Sequence, residues 1–153
     1  MNIPDYAKHR PLHKGMLVPF SVLWNAGIPD FKAVDPTRVY DCVTRRLCGV
    51  CGKIIGRKGV FIGGPSSMRN LLFTDPAMHA ECARYAYSVC PFLFGKITEM
   101  SENYSASYTV DPNVNTTRPA TYYTLTTTAW HFATYRDNVY IQANKGQIKE
   151  INS

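Results

Sequence analysis

Leu47-Cys48-Gly49-Val50-Cys51-Gly52, followed downstream by Asp75-Pro76-Ala77-Met78-His79-Ala80-Glu81-Cys82, is the part of this chain from which the rest is read. It offers four candidate metal ligands in two pairs, Cys48-x-x-Cys51 and His79-x-x-Cys82. A tight CxxC turn lets two sulfurs converge on one ion, and zinc takes four such ligands in a tetrahedron. Residues three apart on a helix share a face, so His79 and Cys82 can converge from a second element. Between the pairs, Lys53–Ile55 and Val60–Ile62 are short apolar runs separated by Gly56–Gly59, which predicts a hairpin. Asp75-Pro76 has the form of a helix start, an Asp cap with Pro at the first helical position. The predicted helix runs from Pro76 to about Val89, because Pro91 forbids its continuation and biases Cys90 away from helical geometry.

A knuckle, a hairpin and a helix in that order resemble the treble clef, a zinc fold found in nucleases, ribosomal proteins and many interaction domains. The resemblance covers roughly residues 47–90. It implies one structural Zn²⁺ per chain, held by Cys48, Cys51, His79 and Cys82. A Cys3His set fills the tetrahedron, whereas a catalytic zinc keeps a position for water, so a scaffold is favoured over a hydrolase. Four unrelated buried thiols and a core histidine are the alternative. Of the other two cysteines, Cys90 lies eight residues beyond Cys82, about 12 Å along a helix, too far to share the ion. Cys42 falls at core spacing on the preceding helix. Both read as small buried hydrophobes.

Outward from the knuckle, Asp35-Pro36 carries the same cap signal as Asp75-Pro76, with Val39, Cys42, Val43 and Arg46 at helical spacing. That predicts a helix over about 36–47. Residues 17–34 read as two short strands around Asn25–Pro29, where Gly27 and Pro29 supply the turn. Residues 1–16 read as a flexible basic arm, leaving 17–153 as a single zinc-containing domain. On the other side, Gly63-Gly64-Pro65-Ser66-Ser67 lacks the GKS or GKT of a phosphate loop and reads as a plain loop. Residues 95–119, rich in Ser, Thr, Asn and Pro, read as a long loop with one strand at most. The Thr- and aromatic-rich run 121–135 is strongly β-prone. After the turn at Arg136-Asp137-Asn138, Val139–Ala143 and Gln147–Ile151 read as two more strands. The fold class is therefore α+β, a small treble-clef-like zinc core with a C-terminal antiparallel β-meander.

Composition limits the classes. With 153 residues, 45% apolar and 18% charged, the chain is long enough for one core and is not of disordered composition. No stretch reaches the roughly 20 apolar residues of a membrane span. The polar, basic start from Met1 to Lys14 is not a secretory signal, so the cytoplasm is the expected compartment. Five cysteines cannot all pair, and in a cytosolic chain this spacing points to metal before disulfides. The net charge of +6 is concentrated. From Cys42 to Thr74 there is no Asp or Glu, while Arg45, Arg46, Lys53, Arg57, Lys58 and Arg69 fall there. These six are candidate phosphate or nucleic-acid contacts. The alternative is that they offset the net −1 of zinc with three thiolates.

Two enzyme motifs fail on order. His79-Ala80-Glu81 matches the H-A-E of zinc deaminases, but there PCxxC follows the motif, whereas the CxxC here precedes it. The HNH nucleases use a similar ββα unit with histidines on hairpin and helix. No histidine lies between Cys51 and His79, so the position that activates water is empty and a degenerate relative is what that comparison leaves.

Pro29-Asp-Phe-Lys32, Asp35-Pro36, Leu47–Gly52, Phe61-Ile-Gly-Gly-Pro65, Asp75–His79, Cys82-Ala83 and Cys90-Pro-Phe-Leu93 together resemble a group of small uncharacterised proteins of bacteria, actinobacteria above all, and their phages. The resemblance implies a zinc site and a bacterial or phage origin and transfers no reaction. The expected function is a zinc-stabilised binding protein that engages a protein partner, for a phage a host or defence factor. Exposed members of the set Tyr104, Tyr108, Tyr122, Tyr123, Trp130 and Tyr135 are candidate anchors, with Trp130 the best candidate for the core. Nucleic-acid binding and a degenerate HNH-like nuclease are the alternatives.

Overall fold

A computed structural model of the chain describes residues 2–89 and 121–151. Cys90, Tyr104, Tyr108 and the loop expected over 95–119 lie outside the described residues. The fold is mixed α/β with few helices and antiparallel sheets.

The first strands are β1 (Leu12–His13), β2 (Met16–Leu17), β3 (Val22–Asn25) and β4 (Ile28–Val34). β1 pairs with β2 and β3 with β4, both antiparallel. Each hairpin closes on two residues, Lys14-Gly15 and Ala26-Gly27, all with positive φ. That is the turn whose twist matches the strands it joins, and glycine makes it accessible. The strands expected within 17–34 are thus β3 and β4.

The segment before β2 departs from the expectation of a flexible arm. A short 3-10 turn at Asp5–Ala7 leads into β1, Ala7 is fully buried, and Arg10 donates from Nε to the Val18 carbonyl. The reason is apolar content that the basic composition hid: Ala7 and Leu17 belong to the core cluster, and Ile3 packs against it.

Helix α1 (Pro36–Arg45) starts as its sequence predicts. The Asp35 side chain accepts from the Thr37 and Arg38 N–H groups, satisfying donors that a helix start leaves open. Val39, Cys42 and Val43 are its buried face. It ends on Arg46 in the left-handed region, φ 56°, at a cost of about 1–2 kcal/mol for a residue with a Cβ. The side chain accounts for the choice. The Arg46 guanidinium donates to the carbonyls of Gly56, Arg57 and Thr128 and lies 4.2 Å from the Trp130 ring.

The expected hairpin between the ligand pairs does not form. Ile54 bridges to Leu47 instead, closing the knuckle on itself. β5 (Gly59–Gly63) pairs antiparallel with β7 (Tyr123–Thr127), more than sixty residues away in the chain. The apolar run was a sound strand signal, but a strand signal does not name its partner. α2 (Pro65–Asn70) occupies the expected plain loop, with Pro at the start and Gly64 before it; Pro65 was the available sign. β6 is Leu72–Phe73.

Helix α3 (Ala80–Val89) begins four residues later than Asp75-Pro76 suggests. Met78 and Val60 exchange backbone hydrogen bonds, 2.8 and 2.9 Å, and the Ala77 carbonyl accepts from Gly49. These pairings hold 77–78 extended, and the helix starts only past them.

β8 (Trp130–Tyr135) and β9 (Asn138–Ala143) form a hairpin through Arg136-Asp137, again with positive φ at both residues. β10 (Gln147–Glu150) pairs with β7 rather than β9. The C-terminal region is therefore not a meander. The run 121–135 breaks into β7 and β8, which enter different three-stranded sheets, β10-β7-β5 and β6-β9-β8. Asn144 donates to the Ala129 carbonyl where the chain crosses between them.

One core joins these parts. Phe61 stacks on Phe73 at 4.5 Å and meets the edge of Trp130 at 5.6 Å. Leu125 and Ile141 fill the space beside them, and the same cluster continues through Val39 and Val43 to Cys48, Cys51 and Cys82. The expectation that Trp130 is a core residue holds, at 9% exposure.

Candidate metal centre

The ligand residues come from two elements that the core brings together. Cys48 and Cys51 sit in the turn after α1; Cys82 is in the first turn of α3, and the His79 carbonyl accepts its first backbone bond, from Ala83. The knuckle is held by backbone bonds from Cys48 N–H to the Lys53 carbonyl and from Gly52 N–H to the Cys48 carbonyl, both 2.9 Å. Gly52 has φ +78°, and a Cβ there would stand 2.7 Å from the Phe20 ring. Both the backbone and the space therefore require glycine. Gly52→Ala is expected to destabilise the folded chain by about 1–3 kcal/mol, read as a lowered urea midpoint.

One ligand atom from each of Cys48, Cys51, His79 and Cys82 lies within 4.8 Å of every other, close enough to hold a metal ion. The Cys51 Sγ and His79 Nδ1 are 3.4 Å apart. Bonds of about 2.3 Å to sulfur and about 2.0 Å to nitrogen at a tetrahedral angle give about 3.5 Å for that pair. The donor set and the spacing both fit zinc.

The surroundings fit a thiolate centre. Backbone N–H groups of Val50 and His79 donate to the Cys48 sulfur, and that of Lys53 donates to Cys51, each at 3.4 Å. Burial pushes the Cys48 thiol up, but hydrogen bonds from the Cys51 and Cys82 side chains and from the Cys51 and His79 backbone outweigh it and hold the thiol well below its usual range. Cys82 is driven the other way, first by its hydrogen bonds to Cys48 and Cys51 and then by burial. Buried thiols this close share protons rather than ionise together. A divalent cation removes that constraint, so binding it releases protons.

His79 is oriented for the task. Its Nε2 lies 3.0 Å from the Ile54 carbonyl, which places the proton on Nε2 and leaves the Nδ1 lone pair facing the sulfurs. A backbone carbonyl on the far nitrogen is the usual device for fixing the tautomer of a metal-binding histidine.

Comparison with known proteins returns no matching family model, curated protein or solved structure.

Cys42 stays outside the centre. It is buried, and its thiol is pushed up to about 12, by burial first and then by Cys48 and Asp41. It acts as a small apolar residue. Glu81 is exposed on α3.

The six basic residues do not form one patch of like role. Arg45, Lys53, Arg57, Lys58 and Arg69 are exposed. Arg46 is half-buried and bound to three carbonyls, so its guanidinium braces the loop after the knuckle against the β7–β8 turn. Tyr6 and His9 are contributors that sequence reasoning missed. Tyr6 stacks on the His79 ring, and the His9 Nε2 lies 3.0 Å from the Cys51 carbonyl. Aromatic and imidazole groups in a basic leader were the signal, but no spacing rule ties them to a site more than forty residues on. Among the described residues, no helix is long and apolar enough to cross a membrane.

Proposed function

We propose that this chain is a zinc-stabilised binding protein with a treble-clef-like centre, and that its ion is structural. The observation that carries the reading is the closed ligand set. Three cysteines and one histidine meet at one point, and the second nitrogen of His79 is engaged by a carbonyl. A tetrahedron filled by protein has no position at which water is activated. The four ligands are part of the core cluster or border it, so the ion would tie α3 to the knuckle and support the surfaces around them.

The partner in this reading is a protein. Trp24 and Ile28 are exposed around the β3–β4 turn, and Tyr135 is exposed at the end of β8. Exposed Trp and Tyr on short, well-defined hairpins suit a contact surface, since these residues dominate binding hot spots. Among the described residues of the expected set, Tyr122 and Tyr123 are half-buried and Trp130 is in the core, which leaves Tyr135; Trp24 joins it as a second exposed aromatic. The resemblance to small bacterial and phage proteins makes a host or defence factor the partner of choice and the bacterial cytoplasm the place.

Nucleic-acid binding is the second reading, favoured by the exposed Lys53, Arg57 and Lys58 on the loop beside the centre. Filter binding to single- and double-stranded DNA across a salt series separates the two. The protein-binding reading predicts weak retention, unchanged in an Arg57→Glu/Lys58→Glu variant, while one bacterial protein co-purifies with wild type and that variant and is lost with Trp24→Ala. Tight retention that falls steeply with salt and collapses in the double variant would overturn it.

A further inference from the structure

The N-terminal segment lies against the candidate metal centre at two points. The Tyr6 ring stacks on the imidazole of His79, centroids 4.7 Å apart at 23°. His9 reaches the carbonyl of Cys51, 3.0 Å from its Nε2. The two contacts therefore fall on two candidate ligand residues, one from each pair.

The segment is held firmly enough to act there. Ala7, between the two contact residues, is fully buried and donates from its N–H to the Pro4 carbonyl. Arg10 donates from its backbone N–H to Ala7 and from Nε to Val18. Downstream, Phe20 and Ser21 donate backbone N–H groups to Val50 and Gly49 of the knuckle. The chain is thus anchored on the knuckle just downstream of the stretch that crosses the site, and that stretch is tied by its own backbone bonds and the burial of Ala7. His79 is the one ligand residue of the four that is not fully buried, and it is the one that Tyr6 covers.

We propose that residues 5–10 form a clamp over the metal centre, with Tyr6 as a positioning residue for His79 and His9 as a brace on Cys51. This rests on the zinc reading above and goes beyond it, since a Cys3His centre needs no residue from this segment to complete its ligands. The clamp restrains the imidazole from rotating off the ion, and it hinders a competing chelator at this half-buried ligand. Metal release then requires the segment to lift first, so the N-terminal segment sets the lifetime of the ion.

The test is the rate at which the zinc-loaded full chain yields its metal to a chromophoric chelator, measured for wild type, Tyr6→Ala, Tyr6→Phe and His9→Ala. Partners of metal ligands typically contribute ~10–100-fold to metal affinity. Tyr6→Ala is expected to release zinc on the order of 10-fold faster, His9→Ala also faster, and Tyr6→Phe at the wild-type rate, because phenylalanine keeps the stack. Tyr6 is 41% exposed, so its truncation leaves the core intact. The spectrum of the Co²⁺-loaded Tyr6→Ala protein should match wild type, showing the same four ligands. One zinc per chain in wild type with equal release rates in all variants would overturn the clamp and leave the zinc reading standing. A wild-type chain that folds without taking up zinc would overturn both.

Discussion

Cys48→Ser is expected to abolish stoichiometric zinc binding and to unfold the chain at ordinary temperature. Zinc binding to structural sites is worth about 10–16 kcal/mol at neutral pH, as large as the whole stability of a typical domain, about 5–15 kcal/mol. Cys48 has no exposed surface. Its sulfur accepts from two backbone N–H groups and stands with Cys51 and Cys82 inside the core cluster. Serine there loses the metal bond, and the remaining thiols are left crowded without a cation. The same result is expected from Cys82→Ser and from a strong chelator added to wild type. The check is zinc per chain alongside circular dichroism. A Cys48→Ser protein with wild-type dichroism and a cooperative melt would show that the core stands without the ion. Because protons compete with zinc for the thiols, affinity is expected to fall as pH falls.

Phe61→Ala should cost about 3–5 kcal/mol, the range for emptying a buried aromatic site. Phe61 is 1% exposed and central to β5. It contacts Phe73 of β6 face-on and Trp130 of β8 at its edge, so one side chain links both three-stranded sheets. The cavity would open where rigid rings on either side collapse poorly. The candidate metal centre draws on the same cluster, but Phe61 supplies none of its four ligands. The variant should therefore still take up one zinc while its denaturation midpoint drops sharply. Loss of less than about 1 kcal/mol would mean that the sheets are not joined through this residue.

These expectations rest on different links between sequence and structure. The CxxC and HxxC pairs could be read without coordinates because local geometry determines where such side chains go. A tight turn and a helical start each converge two ligands, whatever the rest of the chain does. The Asp35-Pro36 cap of α1, the turns expected around Asn25–Pro29 and at Arg136–Asn138, and the buried thiol of Cys42 were legible for the same reason, although the first turn is Ala26-Gly27 alone and Pro29 lies in β4.

Where a residue's partner is distant, the sequence was silent. Val60–Ile62 looks like a strand, but nothing local says that it pairs with Thr124–Thr126 instead of Lys53–Ile55. Asp75-Pro76 has the form of a helix start, yet the pairing of Met78 with Val60 delays α3 to Ala80. The β-prone tail signals strands at 121–151, but which sheet each joins depends on the core around Phe61, so β10 lies beside β7 and the meander gives way to two sheets. Arg46 and Tyr6 make the point most sharply. One reads as a phosphate contact and braces a loop; the other reads as part of a free arm and covers a ligand. The sequence by itself determined the four candidate ligands, the capped helix before them and the excess of β-strands, because these follow from the spacing of neighbouring residues. Only the tertiary structure decided strand partners, the true start of α3 and the place of the N-terminal segment, because those depend on burying apolar surface between parts of the chain that are far apart in sequence.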